Sequence, residues 1–211
     1  MSKRKHPYPP LLNRRAASRN AKIKITVICE GKVTEPEYLL SLAQHCGALL
    51  EIMLIVERGA GVPITVVRKA IELKSQLRTG NSFEENDKIW VAFDRDEHPN
   101  ILRALNEAEA AGVFVAYSNP CFELWLVLHY RDHDAPATRR EIQRALRNLM
   151  PGYDPNRSKQ VMFDQICDAV EQAENRAETL ERRRQAERSP RGNPSTTVFK
   201  LTREIRRHGK K

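Results

Sequence analysis

Two apolar runs that each stop at an acid constrain this chain more than any other feature. Lys24-Ile25-Thr26-Val27-Ile28-Cys29 ends at Glu30-Gly31, and Ile89-Trp90-Val91-Ala92-Phe93 ends at Asp94-Arg95-Asp96-Glu97-His98. Short runs rich in β-branched and aromatic residues read as strands. After the first, Gly31 permits a tight turn, Thr34 is the expected N-cap, and Pro36 sits where a first helical turn tolerates it. Strands that alternate with helices build a parallel sheet covered on both faces. Adjacent parallel strands bring their C-terminal ends together, and open α/β sheets bind ligands there. Glu30 and Asp94 are therefore expected at one sheet edge, with Glu35 nearby in the helix.

Alternate side chains of an extended chain share a face, so Asp94 and Asp96 project together while Arg95 points away. Carboxylates that close repel unless a proton or a cation lies between them. Hard oxygen donors suit Mg²⁺ or Mn²⁺, which often bind protein through one or two carboxylates plus water and phosphate. A lone Asp-x-Asp reads equally well as a solvated turn. Convergence of Glu30, Glu35, Asp94 and Asp96 favours the metal site.

These residues resemble a known domain. Glu30-Gly31 with Thr34-Glu35, then Asp94-x-Asp96, is similar to the Toprim domain of the overcoming-lysogenization-defect nucleases and of the RloB-like proteins associated with phage abortive infection. The resemblance to RloB-like proteins extends through Ser118-Asn119-Pro120-Cys121-Phe122-Glu123-Leu124-Trp125-Leu126 and Asn193-Pro194-Ser195-Thr196, from about Lys22 onward. It implies a Mg²⁺- or Mn²⁺-dependent nuclease, a phage-defence effector often encoded beside an ATPase that restrains or triggers it. The Toprim glutamate falls on Glu30 and the aspartate pair on Asp94 and Asp96, the implied catalytic residues. Glu35 matches an additional acid, so the implied metal ligands are Glu30, Glu35, Asp94 and Asp96. A catalytic lysine used by some members has no matching position. Glu30 is open to a second role, as general acid or base.

The fold expected is α/β: a Toprim-like parallel sheet flanked by helices over residues 22–130, with a helical C-terminal extension over 131–211. Residues 1–21 carry Lys3-Arg4-Lys5 and Arg14-Arg15 with little periodicity and read as a flexible basic arm, either a phosphate grip or a solubilising tail. The formal net charge of +9 suits a polyanionic partner such as DNA or RNA through counterion release. No apolar run approaches the roughly 20 residues that span a bilayer, and the basic N-terminus lacks a signal-peptide core. The expected location is the cytoplasm, without membrane attachment. The four cysteines form no Cys-x-x-Cys pair and read as free thiols.

Along the chain, helices are expected over 37–46, 64–77, 100–111 and 123–130, with strands over 49–56 and 113–117. Gly59-Ala60-Gly61 is a turn with some capacity to cradle a phosphate. Ser118-Asn119-Pro120 opens on the edge that holds the acids. Asn119 is either a phosphate or water ligand or a capping residue, and Glu123 is either a further acid or a first-turn glutamate. His98, just past Asp96, is a candidate base or ligand. Trp125 is expected in the core. Beyond Tyr130 the pattern is helical, over 138–149, from about 159 to 186, and over 198–207. The charged run Glu181-Arg182-Arg183-Arg184 is expected of a solvated helix or of one lying against a partner, an ATPase or a second copy of the chain. The rival to a nuclease is a non-catalytic Toprim-like scaffold that binds nucleic acid or an ATPase.

Overall fold

The computed structural model describes residues 24–48, 50–54, 63–79, 87–95, 101–157 and 159–209. The basic arm, the Gly59-Ala60-Gly61 turn, Asp96 and His98 lie outside the described residues. Strands β1 (Ile25–Cys29), β2 (Leu50–Leu54), β3 (Lys88–Asp94) and β4 (Phe114–Asn119) pair in parallel, and β5 (Ser195–Thr196) adds antiparallel to β4. The order across the sheet is β2-β1-β3-β4-β5. The chain leaves β1 toward one side and returns to β3 on the other. The β1/β3 pair is therefore the switch point, where a crevice opens at the carboxyl ends of the strands.

Strand periodicity divides the core into two layers. Ile25, Val27, Cys29, Trp90 and Ala92 cluster with residues of α1 (Thr34–Cys46), α4 (Glu123–Tyr130) and the C-terminal helices. Ile28, Ile89, Val91 and Phe93 cluster with α2 (Pro63–Thr79) and α3 (Ile101–Ala110). This mostly parallel sheet between helices is consistent with the Toprim-like arrangement that the resemblance implies. Helix α4 is buried from Glu123 to His129, as suits a helix apolar on every side. Each of its fully buried leucines contributes about 1.5–3 kcal/mol. Helices α5 (Arg139–Leu149) and α6 (Val170–Ala186) pack on α4, while α7 (Val198–Arg207) packs on α1 and β4. Among the described residues, no helix is long and apolar enough to cross a membrane.

Four local expectations are corrected. Helix α1 begins at Thr34, with Val33 in the capping position, and the Thr34 hydroxyl donates instead to the Lys159 carbonyl at 3.2 Å. The long helix expected from Lys159 starts only at Val170, after two 3₁₀ turns, Phe163–Gln165 and Cys167–Ala169. Lys159 has φ of 49°, in the left-handed region that stops a helix, and the Val161 amide donates to Glu37 Oε2 at 3.1 Å. Ser195-Thr196-Thr197, expected only to cap the last helix, also supplies a short strand: Ser195 and Thr196 pair with Asn119 and Ser118, while the Thr196 hydroxyl accepts from the Val198 amide at 3.3 Å. Finally, Arg184 is buried rather than solvated, ion-paired with Asp134 and with Glu187.

Candidate active site

Glu30 directly follows β1 and Asp94 ends β3, so the parallel register alone sets them on neighbouring strands. The Glu30 amide extends that ladder by donating to Ala92 O at 2.9 Å. Glu35 enters from the first turn of α1. A cleft of about 370 Å³ at this edge is lined by Glu30, Gly31, Glu35, Asp94 and Glu123, together with Lys32, Arg139 and Lys159. Five of the residues singled out in the sequence therefore share one cleft. Gly31 has a specific role, since a Cβ there would run into the Glu35 carboxylate. Only glycine lets that carboxyl fold back over the turn.

Asn119 follows a different course. It is the last residue of β4, and its amide nitrogen donates to the Arg191 carbonyl at 2.9 Å. Arg95 donates to the same carbonyl. Asn193, further along that loop, brackets Ala137, accepting from its amide at 3.2 Å and donating to its carbonyl at 2.8 Å. The two Asn-Pro segments that carry the family resemblance thus meet in space and hold the entrance to α5. A capping box between Thr138 and Glu141 then sets Arg139 as the first helical residue. From there, Arg139 Nη2 lies 3.0 Å from Asp94 Oδ2.

The acids differ in their surroundings. Burial first, and then the nearby Glu35, Glu123 and Glu30 charges, push the Asp94 carboxyl well above the usual range despite Arg139. Burial likewise pushes Glu35 up to about 7, with Glu123 adding to the effect and Lys159 and Arg139 opposing it. For Glu123 burial acts upward too. It is outweighed by hydrogen bonds from Tyr153 at 2.7 Å and Gln143 at 2.9 Å, which hold the carboxyl below its ordinary value. Glu123 is therefore a satisfied carboxylate, whereas Asp94 and Glu35 are carboxyls whose charge is poorly tolerated.

Among the described residues no three His, Cys, Asp or Glu side chains form a ready coordination shell. The donor set nonetheless suits a hard divalent cation. Burial raises both Asp94 and Glu35, and the Glu35 charge raises Asp94 further; a cation beside such buried carboxyls favours their charged forms. Sequence patterning missed Arg139, Tyr153, Gln143 and Lys159. The Thr138-x-x-Glu141 pattern was visible as a helix start, but nothing local tied it to Asp94. His129 is a core residue: Tyr38 Oη donates to its Nε2 at 3.0 Å and its Nδ1 donates to Trp125 O at 3.0 Å. Burial lowers its pKa to about 4.

Fold and cleft together define an α/β protein with an acid-lined crevice at the switch point of a parallel sheet. A family model described as RloB-like protein matches residues 25–205, and the chain belongs to the RloB-like family. No curated protein and no solved structure matches it.

Proposed function

We propose that the chain is a divalent-metal-dependent nuclease that hydrolyses phosphodiester bonds in DNA or RNA. The observation that carries this reading is the meeting of Glu30, Glu35 and Asp94 with Arg139 and Lys159 in one cleft at the β1/β3 switch point. Carboxylates and cations side by side suit a substrate whose anionic oxygens must be neutralised.

In this reading Glu30, Glu35 and Asp94, joined by Asp96, would hold Mg²⁺ or Mn²⁺. Such an ion, when bound, supplies Lewis acidity at a phosphoryl oxygen and lowers the pKa of water. Lys32, Arg139 and Lys159 attract and orient the phosphate. Without a cation Glu35, raised to about 7, is partly protonated at neutral pH, and a bound cation would displace that proton. Asp94 and Glu35 draw their low tolerance of charge from burial, so the same wall that excludes water also strengthens the electrostatics inside. The net charge of +9 raises the encounter rate with a polyanion. The phage-defence role and a partner ATPase are part of the same proposal and rest on the family resemblance.

The test is cleavage of labelled single- and double-stranded DNA and RNA by the full chain in Mn²⁺, Mg²⁺ or EDTA, beside Asp94→Asn. The expected result is metal-dependent cleavage that falls at least about 100-fold in the variant. Cleavage that persists in EDTA or in folded Asp94→Asn would reject the assignment. A chain that binds nucleic acid but cuts none of the panel would instead fit a scaffold.

A further inference from the structure

We propose that Arg139 is a phosphate-binding residue that rests on Asp94 and moves to the substrate when a divalent cation takes Asp94. This rests on the nuclease reading above and assigns a role to a residue outside the acidic motifs.

Three observations carry it. Arg139 Nη2 lies 3.0 Å from Asp94 Oδ2, with about a third of the arginine side chain exposed (34%) but only 12% of the aspartate. The carboxylate is thus the fixed member of the pair, and the guanidinium is at the open side of the cleft. Secondly, the backbone under Arg139 is anchored, by the Thr138–Glu141 capping box and by Asn193 around Ala137. The side chain can change partner without any rearrangement of α5. Thirdly, the neighbouring Glu123 has donors of its own, since Tyr153 and Gln143 both bond its Oε1, and does not depend on Arg139 for a partner.

A cation on Asp94 and a guanidinium on the same carboxylate repel, so each must weaken the other. The displaced guanidinium would still line the cleft, beside the position of an entering phosphate. Its planar fork of donors matches phosphate oxygens better than an ammonium does. Arg139 therefore exchanges one anion for another, and metal and substrate bind cooperatively.

Calorimetric titration with Mn²⁺ alone separates this from a buttressing role. Wild type, Arg139→Gln, Arg139→Lys and Asp94→Asn are compared, with melting curves to confirm folding. Anisotropy then measures a fluorescent oligonucleotide in Ca²⁺. Arg139→Gln should bind Mn²⁺ about tenfold more tightly and the oligonucleotide about tenfold more weakly, with Arg139→Lys between the two. Mn²⁺ affinity that is unchanged or weaker in Arg139→Gln would overturn the proposal, because a buttress only loses affinity when removed. Wild-type Mn²⁺ affinity in Asp94→Asn would instead overturn the metal reading beneath it, so the two failures are told apart.

Discussion

Tyr153 donates a 2.7 Å hydrogen bond to Glu123, joining the segment after α5 to the first turn of α4. Both side chains are almost fully buried. The bond holds the carboxylate at the wall of the acidic cleft, and Gln143 supplies a second donor at 2.9 Å. A position that the sequence offers as a further acid is thereby held as an acceptor, with both donors on its Oε1.

Tyr153→Phe should cost about 1–3 kcal/mol at neutral pH, since a buried charged acceptor loses a donor. The folded-state pKa of Glu123 lies below its unfolded value, so its stabilisation is present above the usual glutamate range and is lost as pH falls through the lowered value. The difference between variant and wild type should therefore shrink on acidification. Urea midpoints at pH 7 and near pH 3 measure it, and an equal difference at both would refute the assignment.

Glu35 has the opposite sign. Its folded pKa is raised to about 7, so the contribution of the neutral carboxyl is full below the ordinary glutamate value of about 4.3 and is lost as pH rises through 7. Metal-free wild type should lose up to a few kcal/mol over that window. Glu35→Gln should flatten the profile, since the amide mimics the protonated form. Mn²⁺, which competes with the proton, should bind more tightly as pH rises through 7, and a pH-independent affinity would contradict this.

Gly31→Ala tests the close approach at the turn. The new methyl meets the far end of the Glu35 side chain rather than backbone, so the fold should survive with a change of about 1 kcal/mol or less. The carboxyl must swing away, and Mn²⁺ affinity should fall about tenfold or more. Calorimetry on the folded variant decides, and wild-type affinity would show that Glu35 does not serve the site.

The arginine run of α6 should divide sharply. Arg184 is buried against Asp134 and Glu187, whereas Arg182 is 68% exposed and paired only along its own helix with Glu178 among the described contacts. Arg184→Ala should destabilise by about 1–3 kcal/mol, a range kept below that for fully buried pairs because both acids reach solvent. Arg182→Ala should stay within about 0.5 kcal/mol. Thermal melts that rank the two the other way would refute the packing described.

Elements whose signals are local were legible in the amino-acid sequence. The β-branched run into Glu30, the apolar run into Asp94, the continuous apolar stretch of α4 and the end of α1 at Cys46 all appear as expected. Each depends on neighbours within a turn or a strand. Parallel pairing then follows from strand–helix alternation, which is why the meeting of Glu30 and Asp94 could be anticipated. Tertiary structure decided the rest. A two-residue strand such as Ser195–Thr196 has no periodicity to detect and exists because Ser118 and Asn119 offer it an edge. Helix α6 starts late because Val161 is tied to Glu37 across the fold, against the helical pattern of its own segment. Arg139 reaches the cleft, and Tyr153 reaches Glu123 behind its wall, only because α5 and the loop after it pack on α4, a placement set by the shared core and not by any residue adjacent to them in the chain.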